Sequence, residues 1–555
     1  MDAGNDSAST RRMRYAVRVA RSRYKRVEGV VEFYAPALAA ALNARRLELD
    51  DDDLPPPSST APTGFPALEG LSGRPYSRAN ADSARRIVHD MRARAARLRI
   101  LARALVVTEA QVIELTRLEL ARIGTLGIAG FDAPKSGEAI REGAEAIEGL
   151  RETMAQVAPA FWPALVSERS AVDSTLALAA DYMRAHGDFE YFNRLAYIAA
   201  YGDPAFRAID ALRRTANVVP VRIQRAWRAD VASPYAVGAF DVNAYAPSGT
   251  PPSDLRIVEL GRRLFLESAL SGTETRSCAS CHQPTRAFTD GRRVPESMVR
   301  HAATPMRNTP TLLHAALQPA QFADERSVTL EDQVIAVLAS PAEMGSSLER
   351  AVVAIRRRPY YDSAFTSVFG TASPELTGVR LRHALAQYVR SLVRLDSRFD
   401  RAVRGDTSVM SEEERRGFTL FMGKAACGTC HFAPLFNGSV PPRYLSSDVE
   451  VIGTPASPMR PWMPDADSGR ARIDHMPLHY RAFKTPGLRD VARTSPYMHN
   501  GAFRTLDDVI LFYDAGGGVG AGAKLDNQTL SADSLHLSAA DRRAIIAFLG
   551  TLSTR

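Results

Sequence analysis

Two pentapeptides constrain this chain more than anything else in it: Cys278-Ala-Ser-Cys281-His282 and Cys427-Gly-Thr-Cys430-His431. Each has the form C-x-x-C-H, the attachment sequence of a c-type haem. The spacing has a chemical reason. The two thiols reach the two vinyl groups of one porphyrin and form thioethers, and the following histidine offers its imidazole to the iron from one face. A lone C-x-x-C also serves zinc and redox sites. Here both copies carry the adjacent histidine, and together they use all four cysteines of the chain. Two covalently bound haem c groups are therefore expected, one at Cys278, Cys281 and His282, the other at Cys427, Cys430 and His431.

At 555 residues the chain is too long for one core, and several domains are expected. Its hydrophobic fraction of 45% and charged fraction of 24% are those of an ordinary globular protein. No apolar run is long enough to span a bilayer, so no membrane span is expected. The net charge is +8, with arginine far outnumbering lysine. This reads either as an arginine-biased solvated surface or as a basic face for an acidic redox partner. No nucleic-acid-binding motif stands behind it. Met1 to Thr10 is polar, and Arg11 to Arg26 lacks the apolar core of a signal peptide. Haem c is nevertheless attached outside the bacterial cytoplasm. The expectation is a periplasmic protein whose leader was removed or lies outside this sequence. In an oxidising compartment the four cysteines could instead pair as two disulfides, against which the adjacent histidines argue.

Read in order, residues 1 to about 50 suggest one helix, and Pro55 to Pro66 a linker. Val88, Met91, Ala95, Leu98, Leu101 and Leu105 recur at helical spacing and predict one apolar face. Thr108-Glu-Ala-Gln111 has the form of a capping box. Ser136 predicts the cap of a further helix whose buried stripe is Ile140, Ala144, Ile147, Leu150 and Met154. More helical pattern runs from Ser170 to Ala216. Residues from about 70 to 240 thus read as an all-helical, cysteine-free region, a scaffold or docking module. Ala246 to Ser253 is a second linker. Gly261-Arg-Arg-Leu-Phe-Leu precedes the first pentapeptide and Gly417-Phe-Thr-Leu-Phe-Met the second, a weak internal repeat of a helix leading into C-x-x-C-H. The second helix opens on its own capping box, Ser411-Glu-Glu-Glu414. Ala384 to Leu395 predicts a helix, Asp396 to Thr407 a connection, and Ala539 to Leu552 a final helix capped by Ser538.

From about residue 254 onward the sequence resembles the bacterial di-haem cytochrome c peroxidase/MauG family. The resemblance goes beyond the haem motifs. It rests on Arg307-Asn-Thr-Pro-Thr-Leu, Phe322-Ala-Asp-Glu-Arg, Leu330-Glu-Asp-Gln333 followed by Pro341-Ala-Glu-Met-Gly345, Phe483-Lys-Thr-Pro-Gly-Leu-Arg and Ser495-Pro-Tyr-Met-His-Asn-Gly501. It implies a mainly α fold with two cytochrome c-like domains, 246–400 for the peroxide haem and 401–555 for the electron-transfer haem, preceded by a helical N-terminal domain over 1–245.

The resemblance also implies roles. His282 would be the proximal ligand of the peroxide-reactive iron, with Glu343 and Gln333 on its distal side. Peroxide must move a proton from its inner to its outer oxygen before the O–O bond breaks, and a carboxylate can accept and return it. Read without the resemblance, Glu343 is a helix cap and Gln333 an exposed amide. His301, with Met298 and Met306 nearby, is the candidate for closing the first iron, or else a surface histidine. His431 would ligate the second iron, with Tyr513 opposite it, where peroxidases of the family usually have a methionine and MauG-type members a tyrosine. The alternative is that Tyr513 packs on the haem edge while Met498 or Met476 ligates. A phenolate stabilises oxidised iron and lowers the potential; a thioether does the reverse. The side-chain oxygen of Asn308 and the carbonyls of Thr494 and Pro496 would bind a calcium ion, or Asn308 simply holds a turn. One departure stands out. The tryptophan expected between the haems is Ala323, and Phe322, Trp162, Trp227 and Trp462 are the candidates to replace it.

The function implied is a periplasmic peroxidase that reduces hydrogen peroxide to water, its second haem sharing or relaying the oxidising equivalents. Its electron donor would be a small redox protein, a cytochrome c or a cupredoxin. The alternatives are a MauG-type oxidase acting on a protein side chain and a di-haem electron carrier. A carrier would need no distal acid–base pair.

Overall fold

Proline and close packing break the N-terminal segment that reads as one helix. In the computed structural model it forms α1 (Ala3–Lys25), α2 (Glu28–Tyr34) and α3 (Pro36–Asn43). Pro36 has no N–H to continue α2, and the Arg26 carbonyl ends α1 against α7, where a Cβ on Gly149 would stand 1.9 Å from it. The structure describes residues 3–43, 63–74, 77–221, 223–251, 253–297, 299, 307–370 and 376–554. Most of the expected Pro55–Pro66 linker lies outside them. Its end does not behave as a linker: Gly64–Ser72 is helix α4, and Phe65 is buried with its ring 5.4 Å from that of Tyr24.

The helices then follow as α5 (Arg78–Ala104), α6 (Glu109–Arg122), α7 (Ala139–Phe161), α8 (Val166–Ala185), α9 (Arg194–Tyr197) and α10 (Asp203–Thr215). Among the described residues, 216–239 carry no helix, so the helical region ends earlier than expected. The capping box Thr108–Gln111 forms as expected, and the α7 stripe from Ile140 to Met154 is buried. Ser136 does not cap α7; its hydroxyl accepts the N–H of Glu138, the residue just before the helix starts. The α5 stripe is also not a buried face. None of its residues is buried, and Val88 is 41% exposed.

Beyond the 246–253 loop come α11 (Leu255–Phe265), α12 (Leu330–Ala339), α13 (Leu348–Arg356), α14 (Pro359–Phe369), α15 (Gly378–Arg390) and α16 (Arg398–Val403). The expected connection after Asp396 is thus partly helical. α17 (Glu412–Met422) opens on the expected box of Ser411 and Glu414. α18 (Ala471–Asp474), α19 (Leu506–Asp514), α20 (Gly517–Gly520) and α21 (Ala539–Thr551), capped by Ser538, complete the chain. The fold is mainly helical. Among the described residues the strands are β1 (Val449–Glu450) and β2 (Phe483–Lys484), antiparallel, with Val449 opposite Lys484.

Two compact units result, one of 1–239, 400–434 and 440–446, the other of 240–399, 435–439 and 447–555. The expected division into 1–245, 246–400 and 401–555 is finer, and it separates 400–434 from the N-terminal helices with which these residues form one unit. In the first unit a buried ionic network ties α1, α2, α6 and α7 together. Lys25 Nζ reaches Glu28 at 2.8 Å and Asp132 at 2.7 Å, Arg122 meets Glu28 and Asp132, and Arg21 meets Glu142 at 2.8 Å. Burial alone would raise the Asp132 carboxyl; Arg122 and Lys25 outweigh it and hold the group below the usual carboxylate range. Removing one member would strand the rest at a cost of about 3–5 kcal/mol.

The second unit has its core between α11, α12, α13, α14 and α15, built on Leu264, Phe265, Ile355, Phe365 and Leu385. Gly261 lets α11 lie against α15: a Cβ there would stand 1.9 Å from the Ala384 carbonyl oxygen. Glu331 on α12 accepts from both terminal guanidinium nitrogens of Arg390 on α15, at 2.7 and 2.8 Å.

Candidate functional site

Both C-x-x-C-H segments fold into the same local shape. Cys278–Ser280 is one 3₁₀ turn, and the N–H groups of Cys281 and His282 donate to the Cys278 carbonyl at 3.3 and 2.9 Å. Cys427–Thr429 repeats it: Cys430 and His431 donate to the Cys427 carbonyl at 3.3 and 2.9 Å. Two thiols and an imidazole thus leave each turn together. No disulfide joins the four cysteines.

At the first turn, His282 Nδ1 lies 3.1 Å from the Phe288 carbonyl. An Nδ1–H donated there fixes the ring and leaves Nε2 for a metal. Cys278 packs against the core of its unit, and burial pushes its thiol up to about 12. The Cys281 thiol is raised chiefly by burial, and the negative charge of Glu343 adds to that.

Glu343 lies in the tight turn between α12 and α13. The N–H groups of Glu343, Met344 and Gly345 all donate to the Ser340 carbonyl, at 3.1, 3.1 and 2.9 Å. The segment before Cys278 holds this turn from outside. Gly272 N–H donates to the Met344 carbonyl at 2.8 Å, and Arg276 Nη1 reaches the carbonyls of Ala342 and Glu343 at 3.5 Å. The half-buried Glu343 carboxyl is raised by burial, against the opposing pull of Arg326 and a hydrogen bond from Ser340. It caps no helix; Ser347 caps α13. Gln333 is half-buried near the start of α12, its N–H donating to the carbonyl of the cap Thr329 at 3.1 Å.

The same unit gathers the remaining shared segments around two carboxylates. Arg307 binds Asp467 through Nε at 2.7 Å and Asp324 through Nη1 at 2.7 Å. Asp324 also takes Arg326 at 2.8 Å and Arg472 at 2.9 Å. Phe483 stacks on His499 with ring centroids 3.7 Å apart, and the Arg307 guanidinium lies over the Phe483 ring. Segments separated by up to about 190 residues in sequence therefore form one constellation.

A family model for di-haem cytochrome c peroxidases matches residues 256–408. The methylamine utilization protein MauG of Methylophilus methylotrophus is 32% identical over 305 residues, which cover 54% of this chain and 83% of that protein. The chain belongs to the di-haem cytochrome c peroxidase/MauG family. Cytochrome-c peroxidase IdrP2 of Denitromonas iodatirespirans is 30% identical over 54% of this chain and 81% of its own length, and MauG of Methylorubrum extorquens 33% identical over 53% and 77%. The family is enzymatic, and its di-haem character agrees with the two attachment turns. Its members' names divide between peroxidase and MauG.

The second attachment turn lies in the unit of the N-terminal helices, which sequence reasoning treated as separate from it. The π-helical turn Ile123–Gly127 packs on Cys427–Thr429. Phe131 meets Phe432, and both join Leu126 and Val440 in one small cluster. Arg194, fully buried on α9, donates to the Thr419 carbonyl of α17. No local signal could have foretold these contacts, because the N-terminal partners carry no haem-binding residue type.

Tyr513 is half-buried on α19 of the other unit, its ring edge-on to Phe512 at 5.9 Å. Met498 and Met476 belong to that unit too. Met498 adopts a left-handed φ of 73° and packs on the Trp462, Phe503 and Phe512 cluster. Ala323 accepts the Lys484 N–H at 2.8 Å through its carbonyl, and the Phe322 ring lies under the Arg326 guanidinium at 3.4 Å. Asn308 Nδ2 donates to the Pro496 carbonyl at 2.9 Å, so two of the three expected calcium donors stand together. As oriented, the amide nitrogen rather than the oxygen faces Pro496. The Thr494 hydroxyl donates to the Val491 carbonyl at 3.2 Å. His301, Met298 and Met306 lie outside the described residues. A polar cavity of about 300 Å³ opens beside the loop after His282, bounded by Arg286, Arg493, Thr285, Thr289 and Ser495.

Proposed function

We propose that this protein is a periplasmic peroxidase that reduces hydrogen peroxide to water, consuming two electrons and two protons per peroxide. What supports it most is the half-buried Glu343, held by Arg276 beside the first attachment turn, its charge felt at Cys281. Two haem c groups, on Cys278, Cys281 and His282 and on Cys427, Cys430 and His431, would supply the redox chemistry.

The chain's own residues have defined tasks in this reading. His282, fixed through Nδ1, would hold the iron through Nε2. Glu343 takes the proton from the inner peroxide oxygen and returns it to the outer one, which leaves as water. Burial raises its carboxyl, which suits a group that must both accept and release a proton. Gln333 orients the peroxide by hydrogen bonding. Arg286 and Arg493 line the polar cavity beside the loop after His282 and would supply positive charge to an anionic group held there. Tyr513 would supply a phenolate donor to the iron of the second haem. Calcium fits at Asn308, Thr494 and Pro496 once the Asn308 amide turns its oxygen inward. A small redox protein, a cytochrome c or a cupredoxin, returns the electrons.

Tyr513 and the MauG relatives favour a second reading, an oxidase that draws the same electrons from a protein side chain. The deciding experiment mixes the holoprotein with peroxide, with and without reduced cytochrome c. The peroxidase reading expects stoichiometric oxidation of the cytochrome. No peroxide consumption by either the diferric or the half-reduced protein overturns both enzyme readings.

A further inference from the structure

Positive charge is concentrated on two helices. α1 holds seven basic residues and one acidic residue, although Arg21 and Lys25 are engaged in the buried network, and α5 holds eight arginines and two aspartates, a formal net +6 on each. The whole chain carries only +8, so everything outside these two helices is net negative.

α5 is also bare. Its 27 residues make a rod of about 40 Å, yet none of them is buried. It packs on α4, and Met91 and Leu98 touch the Tyr24–Phe65 cluster. Among the described residues α4 is the element it packs on most, and Ile100 remains 71% exposed. A long helix with no buried face needs a partner outside the chain or many side-chain pairs of its own. Among the described residues, the side-chain pairs along α5 include Arg85–Asp82, Arg86–Ser83 and Arg94–Asp90.

The arginines are ordered. Arg78, Arg85, Arg92 and Arg99 recur at every seventh position and are all exposed. A heptad drifts by about 20° around a helix, so the four stay within about 60° of one another. α1 adds exposed Arg11, Arg12 and Arg14 around Tyr15, itself 63% exposed. Arg14 Nε donates to the Ser72 carbonyl at the end of α4, the helix on which α5 packs.

We propose that this α1–α5 face docks the protein on an anionic phospholipid surface. Guanidinium groups pair with phosphates in two-pronged fashion. Ile100 and Tyr15 among them are of the aliphatic and aromatic kinds that enter a headgroup layer. The attachment is peripheral, since no described helix is long and apolar enough to cross a membrane. An acidic electron donor fits this face less well. α5 packs on α4, whereas Cys427–Thr429 packs on Ile123–Gly127 and α17, so a donor seated on α5 does not sit on that motif's neighbours. A second copy would bring two faces of like charge together. The inference does not depend on the peroxidase reading.

The test is flotation of the holoprotein with vesicles of phosphatidylcholine alone and of phosphatidylcholine mixed with phosphatidylglycerol. Binding to the mixed vesicles only is expected, and it should fade as salt is raised. Replacing Arg78, Arg85, Arg92 and Arg99 together with Gln should weaken partitioning on the order of 1,000-fold. The four-Lys variant should retain most of it, and both haem spectra should be unchanged. Four outcomes overturn the proposal: equal binding to both vesicles, no binding to either, full binding by the Gln variant, or capture of an acidic cytochrome without lipid binding.

Discussion

Phe131 and Phe432 meet edge to face, with ring centroids 5.8 Å apart and planes at 66°. One belongs to the N-terminal helical region and the other directly follows His431. Phe131→Ala should cost about 3–5 kcal/mol as a buried aromatic truncation. It should also shift the spectrum and potential of the second haem while leaving the first unchanged. A redox titration resolving the two haems checks this; two unaltered potentials would reduce the contact to packing alone.

The Glu331–Arg390 pair carries a pH-dependent part of the stability of its own unit. Burial disfavours the Glu331 charge, but the His383 hydrogen bond and Arg390 outweigh it and bring the carboxyl down to about 2. A carboxyl lowered on folding stabilises fully above its unfolded value of about 4.3. That stability disappears as the pH falls through the folded value. Glu331→Gln leaves Arg390 buried and unpaired, at a cost of about 3–5 kcal/mol. Urea unfolding at neutral pH should show this loss, and the difference from the parent protein should shrink in acid.

Local signals were legible in the sequence, and long-range ones were not. The capping boxes at Thr108 and Ser411 and the cap at Ser538 form as read, because each needs only four adjacent residues. The two attachment turns are equally local. The apolar spacing of α5 correctly predicts a helix, but periodicity cannot say whether a partner covers the stripe, and among the described residues none of it is buried. The packing of Ile123–Gly127 on Cys427–Thr429 joins segments about 300 residues apart, for which spacing carries no information. The Asp324 cluster, by contrast, was foreshadowed, since Arg307, Asp324 and Arg326 all lie in segments that resemble the family's.

The Asn308 side chain should respond to calcium. If the ion binds between Asn308, Thr494 and Pro496, a chelator lowers the thermal midpoint and calcium restores it. Asn308→Ala, which also loses the hydrogen bond to Pro496, should have a lower midpoint that the chelator no longer changes. A parent midpoint indifferent to the chelator removes calcium from this site.

Tyr513→Met replaces a hard anionic donor with a thioether and should raise the potential of the second haem. The midpoint of that haem in a redox titration, with its spectrum in the oxidised state, reads the change directly. If both stay as in the parent protein, Tyr513 is not a ligand, and Met498 and Met476 become the residues to replace.

Glu343→Gln keeps the size of the side chain but removes its ability to accept a proton. Loss of one general acid–base group typically costs a factor of about 10² to 10⁴ in turnover. The parent enzyme should show an acid limb in its pH–rate profile. Glu343 must be ionised to take the first proton, so activity falls as acidification protonates it. Burial raises its carboxyl, which places that limb above the ordinary carboxylate range. Steady-state peroxide turnover against pH, with reduced cytochrome c as donor, measures both effects. The Gln variant should be slow throughout and lack the limb. Because the Arg276 contact runs to the Glu343 backbone carbonyl, the turn should survive the substitution. Unchanged turnover would then reassign the proton transfer to another group.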